Sequence, residues 1–412
     1  MPEPVAKRCI EDLACFGGPP LFARPLPIGQ LAMPDEDAFF GYARQTFSNR
    51  RLTNNGPLVQ ELELRLAALH QVDHCIAFAN ASLAIILLIH LLAAGRRGEV
   101  IMPAFTYAGL PHLARWAGQT PRFCDIEADS HTLDPAAVAA AITDDTTAIL
   151  GVHQVNSPCR ILDLSAIAEQ RGIPLIFDAV HGVACTFGGQ PIGRFGRAEV
   201  FSLHATKLLN GFEGGYATTN DRRLAEDLRC SRNFGFIGES EVSALGMNAK
   251  LNELHAACAL AGLDRLDDCI ARNRARVVAY QEAFAGIPGL GWLPYGEATG
   301  DVAERHNYEF ALLQVPADWP LTRNQVVTLM RAEGALARAY YDPPLHHSPH
   351  CPEGIAVPDL PVTERLAQAF VQMPVGELVT TAEVVQLAVL FRFLHSHGEQ
   401  IAQRLGVAEG RP

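Results

Sequence analysis

Short apolar runs alternate with helical stretches along much of this chain, and the alternation limits the folds that it can adopt. The runs that predict strands are Cys75–Ala79, Glu99–Met102, Thr147–Val152, Leu175–Phe177, Val200–Leu203 and Tyr216–Thr218. A strand covered by helices on both faces is apolar throughout, whereas a strand with one face in water alternates apolar and polar residues. The sequence therefore predicts an α/β fold with a mostly parallel sheet and helices on both faces.

Helical spacing accounts for the segments around these runs. The turn Thr53–Pro57 precedes leucines that share one helical face, namely Leu58, Leu62, Leu66 and Leu69. Further helices are predicted at Ser82–Ala94 and Pro111–Trp116, and a long helical region at Leu251–Ala285.

The character of the sequence changes after residue 285. Gly286–Gly300 is rich in glycine and proline, and a predicted strand at Tyr308–Val315 and a predicted helix at Arg323–Glu333 follow it. Such a change in composition is typical of a domain boundary. The predicted units are an irregular lead-in of residues 1–45, a large α/β domain of residues 46–285 and a small α+β domain of residues 286–412.

Charge and cysteine content argue against several classes of protein. The formal net charge of −12, without any basic run, argues against nucleic-acid binding. The ten cysteines form no CxxC pair and no zinc-ligand pattern, so no metal site is predicted. The very apolar helix Ser82–Ala94 is too short to span a bilayer, and the N-terminus lacks the apolar core of a signal peptide. We therefore expect a cytoplasmic protein without a membrane role.

A lysine and an aspartate follow two of the predicted strands. Asp178 ends the run Leu175–Phe177, and Lys207 lies between Val200–Leu203 and the glycine-rich turn Gly211–Gly215. Pyridoxal phosphate (PLP) chemistry needs this pair, because a lysine amine forms the Schiff base and a carboxylate keeps the pyridine nitrogen protonated. A surface lysine and a helix-capping acid are the alternatives, but the apolar surroundings favour the cofactor site.

The turn Asn80–Ser82 predicts an anion site. It lies between a predicted strand and a predicted helix, where unpaired backbone N–H groups and the helix dipole favour a phosphate. Plain N-capping by Asn80 or Ser82 is a compatible alternative. Ser202, near the same strand end as Lys207, is a second candidate for holding a phosphate.

His181 and Tyr107 each admit two interpretations. His181 either hydrogen-bonds the phenolic oxygen of the cofactor or is a satisfied core histidine. Tyr107 follows the strand Glu99–Met102, and an aromatic there either stacks on a cofactor ring or belongs to the core. Glu213 is interpreted as a turn carboxylate without a catalytic role.

The order of these motifs resembles the DegT/DnrJ/EryC1/StrS family of PLP-dependent sugar aminotransferases, within the fold-type I aspartate aminotransferase superfamily. The likeness extends from about Leu52 to the C-terminus. The motifs are Asn55–Pro57, Asn80–Ser82, Phe105–Tyr107, Asp178–His181, Phe201–Lys207, Gly211–Gly215, Arg232–Gly235, Gly246–Lys250 and Leu360–Glu364. The resemblance implies a mostly parallel seven-stranded sheet in the large domain.

Residue by residue, the resemblance also implies roles in cofactor binding. Lys207 matches the Schiff-base lysine, Asp178 the partner of the pyridine nitrogen, His181 the neighbour of the phenolic oxygen, and Tyr107 the stacking aromatic. The phosphate would be held by Ala81, Ser82 and Ser202, joined by Asn248 from the other subunit of a homodimer.

The sequence departs from the family pattern at a few of these positions. Ala81 stands where many members have glycine, and Gly182 stands where alanine or serine is frequent. Lys250 replaces a common arginine, which retains the charge but loses bidentate geometry.

The implied reaction is a two-stage transamination. An amino acid, glutamate or glutamine, would convert PLP to pyridoxamine phosphate, which would then aminate a keto sugar, foremost a nucleotide-linked 4-keto-6-deoxyhexose. Two alternatives stay open. One is a PLP-dependent sugar dehydratase of the same family, in which histidine replaces the lysine, and the other is a non-catalytic PLP-binding regulatory protein.

Overall fold

The computed structural model describes residues 7–155, 157–238, 241–296, 298–299, 302–348, 351, 355 and 358–409. Its main feature is a large sheet of seven strands. These are β1 (His74–Phe78), β2 (Glu99–Pro103), β3 (Thr120–Cys124), β4 (Thr146–Val152), β5 (Leu175–Asp178), β6 (Ala198–Ser202) and β7 (Gly215–Thr219).

The strand order across this sheet is β1-β7-β6-β5-β4-β2-β3. β7 runs antiparallel to both of its neighbours, whereas the pairings from β6 through β5, β4 and β2 to β3 are parallel. The prediction of a mostly parallel seven-stranded sheet is therefore confirmed.

The apolar pattern failed to predict β3, which lies at the edge of the sheet. Pro121 and Arg122 interrupt its sequence, and its residues alternate between half-buried and buried before Cys124. An edge strand has one neighbour, so it tolerates a proline and need not be apolar throughout.

Helices cover both faces of the large sheet. They are α1 (Glu36–Asn49), α2 (Pro57–His70), α3 (Ala81–Leu92), α4 (Leu110–Trp116), α5 (Pro135–Ala141), α6 (Ile161–Arg171), α7 (Arg222–Ser231), α8 (Glu253–Leu263) and α9 (Leu266–Phe284). Leu62 of α2 and Leu260 of α8 belong to the core on one face, and Leu88 of α3 and Leu228 of α7 to the core on the other. The region predicted as one long helix is thus two helices, α8 and α9.

A second sheet lies in the C-terminal part of the chain. Its antiparallel strands are β8 (Gly291–Trp292), β9 (Ala311–Gln314), β10 (Arg338–Ala339) and β11 (Phe370–Met373), in the order β8-β9-β11-β10. The helices here are α10 (Arg323–Ala332), α11 (Pro361–Ala367) and α12 (Thr381–Glu409). The sequence prediction omits α12, although Val384, Leu387, Phe391 and Leu394 recur at helical spacing and are buried.

Several shorter elements complete the described part of the chain. Two-residue strands pair as Thr186–Phe187 with Gln190–Pro191, Phe236–Ile237 with Glu241–Val242, and Ala298–Thr299 with Val302–Ala303. Single 3₁₀ turns occupy Ile10–Asp12, Ala14–Phe16 and Leu345–His347.

The N-terminal segment packs against the C-terminal part. Leu13 and Leu26 are buried in the same core as Leu329 of α10. The Glu333 carboxylate accepts the backbone N–H groups of Ala14 and Leu21 at 2.8 Å each. The segment predicted as an irregular lead-in also contains the start of α1, which continues past residue 45. The domain boundaries at residues 45 and 285 stay predictions.

The cysteines and helices bear on the expected surroundings of the protein. All ten cysteines are free thiols. Among the described helices, none combines the length and the apolar composition needed to cross a membrane.

Two buried ionic groups fix the motif Asn55–Pro57 against the sheet. Glu253 is 1% exposed, and its carboxylate accepts the N–H groups of Leu58 and Val59 at 3.0 Å each, which caps the start of α2. The guanidinium of Arg232 donates to Glu63, to the Ala77 carbonyl and to Asn55. These contacts give the motif a structural role.

We predict that Glu253→Gln lowers the free energy of unfolding by about 1–3 kcal/mol, because a neutral amide offers one oxygen to two buried donors. Urea unfolding measures the change. The exposed pair Glu226 and Arg222 supplies a control, since Glu226→Gln should change stability by less than about 0.5 kcal/mol. Equal stability of Glu253→Gln and the native chain would contradict the capping role.

Candidate active site

Asp178 lies at the carboxyl end of β5 and is almost fully buried. Its side chain is 4% exposed, and Oδ1 accepts the Val180 N–H at 3.1 Å, as a capping acid does. Burial raises the pKa of Asp178, while that hydrogen bond and the nearby positive charges of His181 and Lys207 oppose the rise. Because burial disfavours the charged carboxylate, a cation placed next to it would stabilise it.

Lys207 approaches Asp178 and His181 from the turn after the neighbouring strand β6. Its Nζ lies 3.3 Å from His181 Nδ1. Burial lowers the pKa of Lys207, because an ammonium is costly away from water, and the negative charges of Glu309 and Asp178 only partly offset this. The lysine thus forms a neutral amine more readily than a solvated one, as a nucleophile requires.

His181 lies between the lysine and a second carboxylate. Burial lowers the pKa of His181, and the positive charge of Lys207 lowers it further. Its ring packs edge-on against Phe310, with the ring centroids 5.1 Å apart. His181 thus contacts the lysine directly, and its role beside the phenolic oxygen of a cofactor stays a prediction.

His153 holds the end of β5 in place. Its backbone N–H donates to the Asp178 carbonyl at 2.9 Å. Its Nδ1 accepts the Cys159 N–H at 3.0 Å, so the ring proton lies on Nε2, which donates to Glu199 at 3.1 Å. The ring stacks on Phe177 with a centroid distance of 4.6 Å. Sequence reasoning missed this support, because it joins residues of β5 and β6 to residues that follow β4.

The predicted anion site and Ser202 come together through Gly215. In the sheet, Gly215 pairs with Phe78 on one side and with Ser202 on the other. A Cβ on Gly215 would lie 2.4 Å from the backbone nitrogen of Ala81, so only glycine allows this approach. The start of α3 therefore lies beside Ser202.

Asn80 caps this helix, as the alternative to an anion site expected, and the anion site stays a prediction compatible with that cap. Its Oδ1 accepts the Leu83 N–H at 2.9 Å. The backbone N–H groups at the first positions of the helix, those of Ala81 and Ser82, belong to the set that has no acceptor within a helix. The Ser202 hydroxyl accepts the His204 N–H at 3.2 Å, and its role in holding a phosphate stays a prediction.

Tyr107 and Asn248 are placed at the surface of the described chain. The side chain of Tyr107 is 64% exposed and its ring lies over Gly109, while Phe105 of the same motif is fully buried. Asn248 is exposed, and the carbonyl of its neighbour Ala249 accepts the Ala79 N–H at 2.7 Å, directly before the predicted anion site. The roles assigned to both residues stay predictions.

Two residues near the site had not been singled out from the sequence. Glu309 is fully buried, and its Oε1 lies 3.5 Å from His181 Nδ1. Burial raises the pKa of Tyr341, and the negative charges of Asp178 and Glu309 add to the rise. The sequence did contain a signal for Glu309. Burying a carboxylate at the start of an apolar strand costs free energy for the same reason as burying Asp178 at the end of one.

A separate group of possible ligand atoms lies in the C-terminal part. Nε2 of His346 and Nε2 of His347 lie 2.7 and 2.5 Å from the same oxygen of Glu364. Hydrogen bonds from the imidazoles to the carboxylate explain this proximity without an ion.

Known proteins resemble this chain over nearly all of its length. A sequence model of the DegT/DnrJ/EryC1/StrS aminotransferase family matches residues 35–391. The dTDP-4-amino-4,6-dideoxy-D-glucose transaminase of Escherichia coli is 29% identical over 371 residues, which cover 89% of this chain and 98% of that protein. The spore coat polysaccharide biosynthesis protein SpsC of Bacillus subtilis is 31% identical over 310 residues, covering 72% and 78%.

A solved structure gives the same result. DesI, crystallised in the presence of its TDP-sugar product, superposes with a TM-score of 0.89 and 38% identity, covering 96% of this chain and 100% of that one. The resemblance inferred from the motifs is therefore confirmed. The chain belongs to the DegT/DnrJ/EryC1/StrS aminotransferase family and is an aminotransferase.

Proposed function

We propose that this aminotransferase uses PLP to transfer the amino group of glutamate or glutamine to a nucleotide-linked 4-keto-6-deoxyhexose. The observation that carries the proposal is the contact of Lys207 with His181 beside the buried Asp178. These residues lie at the end of the sheet where the N-terminus of α3 is also found. The E. coli relative is a dTDP-4-amino-4,6-dideoxy-D-glucose transaminase, and DesI was crystallised in the presence of its TDP-sugar product, which supports the substrate class.

The residues around Lys207 fit PLP in their charges and hydrogen-bonding groups. Asp178 would face the pyridine nitrogen, because a buried carboxylate with a raised pKa gains most from a cationic partner. The phosphate would lie against Ala81, Ser82 and Ser202, where the glycine at 215 leaves the first turn of α3 close to the sheet. His181 would lie beside the phenolic oxygen.

When bound, PLP supplies an electron sink that stabilises negative charge on the carbon losing its proton. The chain supplies the remaining functions. Lys207 would hold the cofactor, and its Nζ, when free, would remove and return protons as a general acid and base. Asp178 would keep the pyridine nitrogen protonated, and Tyr107 would lie against the ring.

The retained lysine favours transamination over the dehydratase alternative. In dehydratases of this family a histidine replaces it, whereas this chain has Lys207 with a lowered pKa. A regulatory PLP-binding protein has no need for a reactive amine next to two carboxylates. Release of keto acid from an amino donor would separate transamination from both alternatives.

The proposal includes a homodimer with shared active sites. Asn248 is exposed at the surface, in a loop that pairs with the end of β1 next to the anion site. Asn248 of the partner subunit would join the phosphate ligands.

A cytoplasmic location is also proposed, and the ten free thiols support a reducing compartment.

We predict that acetic anhydride labels Lys207 at lower pH than an ordinary lysine amine, whose pKa is about 10.4. The lysines of this chain are Lys7, Lys207 and Lys250, so mass spectrometry of the cofactor-free protein resolves them. Asp178→Asn should move the labelling of Lys207 to still lower pH, because a charge that stabilises the ammonium is lost. A midpoint at or above that of a free amine would contradict the assignment.

The half-reaction tests the proposed activity. Glutamate added to the purified, PLP-loaded protein should abolish the visible absorbance of the lysine-bound cofactor and release one 2-oxoglutarate per site. Lys207→Arg should slow the reaction by at least about 10²-fold. Lys7→Arg is the matched control, because Lys7 pairs with the remote Glu333. PLP binding without keto acid from any amino donor would favour the regulatory alternative.

Subunit mixing tests the shared site. Lys207→Ala and Asn248→Asp should each be inactive as separate homodimers, the second because a carboxylate repels the phosphate. Mixed dimers would contain one site with both native residues, so refolding the two variants together should restore part of the native activity. An inactive mixture that contains heterodimers would contradict a site built from two subunits.

A further inference from the structure

Glu309 is a buried carboxylate that the roles assigned so far leave without a function. It precedes β9 and has no exposed surface, and neither of its side-chain oxygens has a hydrogen-bond partner among the described residues. A buried carboxylate without hydrogen bonds is costly unless a cation compensates it. Its surroundings therefore need to supply positive charge.

The available positive charge is the pair His181 and Lys207. Glu309 Oε1 lies 3.5 Å from His181 Nδ1, and the same nitrogen lies 3.3 Å from Lys207 Nζ. His181 Nδ1 thus faces an amine on one side and a carboxylate on the other. The other charged or titratable groups that act on this cluster are Asp178, the phenols of Tyr341 and Tyr295, and the thiol of Cys185.

The backbone around Glu309 is anchored to the backbone of His181. Asn307 donates from Nδ2 to the carbonyl oxygens of His181 and Val183, at 2.8 and 3.0 Å. Its Oδ1 accepts the Glu309 N–H at 3.1 Å, and Gln30 donates to the Glu309 carbonyl at 2.5 Å. One amide side chain therefore fixes the spacing between the imidazole and the carboxylate.

The balance of negative and positive groups in the site indicates a role for Glu309. The site contains two carboxylates, Asp178 and Glu309, and two basic groups, Lys207 and His181. In the proposed function Asp178 pairs with the cofactor's pyridinium nitrogen. Glu309 is then the carboxylate left to balance a positive charge on His181 or Lys207.

We propose that Glu309 is a positioning residue that stabilises a proton on His181, so that His181 Nδ1 can accept the proton that Lys207 Nζ must release to become a free amine. The chemical use of this transfer rests on the proposed function. The proton moves from the ammonium to Nδ1, Nζ keeps its electron pair, and nothing is oxidised or reduced. The charge of the imidazolium is then balanced by the Glu309 carboxylate.

The direction of the charge effects agrees with this role. Burial lowers the pKa of His181, and so does the charge of Lys207, whereas Glu309 and Asp178 raise it. Without Glu309, protonated His181 would be disfavoured by burial with less compensation. Removing the charge of Glu309 should therefore lower the pKa of His181.

The test measures the titration of His181 in the cofactor-free chain. Ring ¹³C-labelled histidine gives resolvable NMR signals, and comparison with His181→Gln assigns the signal of His181. Glu309→Gln keeps the size of the side chain and removes its charge, so the pKa of His181 should fall by about one unit or more. Glu309→Asp keeps a charge on a shorter side chain and should cause a smaller fall.

A matched control removes another buried carboxylate. Glu333 is 1% exposed and binds the N-terminal segment, so Glu333→Gln should leave the His181 titration unchanged even if it lowers stability. Acetylation of Lys207 provides a second measurement. The effect of Glu309→Gln on the labelling pH should shrink in a His181→Gln background, because part of it acts through the imidazole.

The outcomes separate this inference from the proposed function. An unchanged His181 pKa in folded Glu309→Gln overturns the role of Glu309, whatever reaction the enzyme catalyses. Failure of the native protein in the half-reaction, with the expected His181 shift, overturns the proposed function alone. If Glu309→Gln fails to fold, Glu309→Asp decides, because the proposal requires a fall in the pKa of His181 and an unchanged value refutes it.

Discussion

The buried carboxylate of Asp178 is the group around which the site is organised. Its position at the end of β5 places a negative charge where water cannot solvate it, so positive partners must surround it. Lys207 and His181 are those partners in the chain itself. His153 fixes the strand end through the Asp178 carbonyl, and its own ring is held by Cys159 and Glu199.

The topology of the large sheet brings the other residues of the candidate site to the same end of the strands as Asp178. β5 and β6 are parallel neighbours, so Asp178 and the segment leading to Lys207 emerge on the same side. β7 returns antiparallel between β6 and β1, and its first residue, Gly215, touches the turn before α3. Strand order thus explains why residues far apart in sequence meet at the same end of the sheet.

The sequence predicted those parts of the structure in which local pattern and function coincide. Continuous apolar runs marked the buried central strands, and the acid and the lysine stood out because each follows such a run. The sequence did not predict β3, because an edge strand needs less apolar surface. It did not predict the boundary between α8 and α9, because both segments have helical patterns. The packing of Leu13 and Leu26 on the C-terminal part depends on long-range contacts that periodicity does not report.

Glu309 shows a second limit of prediction from the sequence. Its sequence context contained a signal, an acid at the start of an apolar strand, but its importance arises from the distance to His181, which lies more than a hundred residues earlier. Charge balance in a buried site is a property of the assembled cluster. The interpretation of Asn248 has the same character, since its proposed partner lies on another subunit.

The most direct measurement identifies the residue that carries the cofactor. Borohydride treatment of the PLP-loaded protein makes the attachment to lysine permanent, and mass spectrometry of the digested chain then locates it. The structure predicts the modification on Lys207, with Lys7 and Lys250 unmodified. A modification on Lys250, or none on any lysine, would contradict the assignment of Lys207, Asp178 and His181 to the active site.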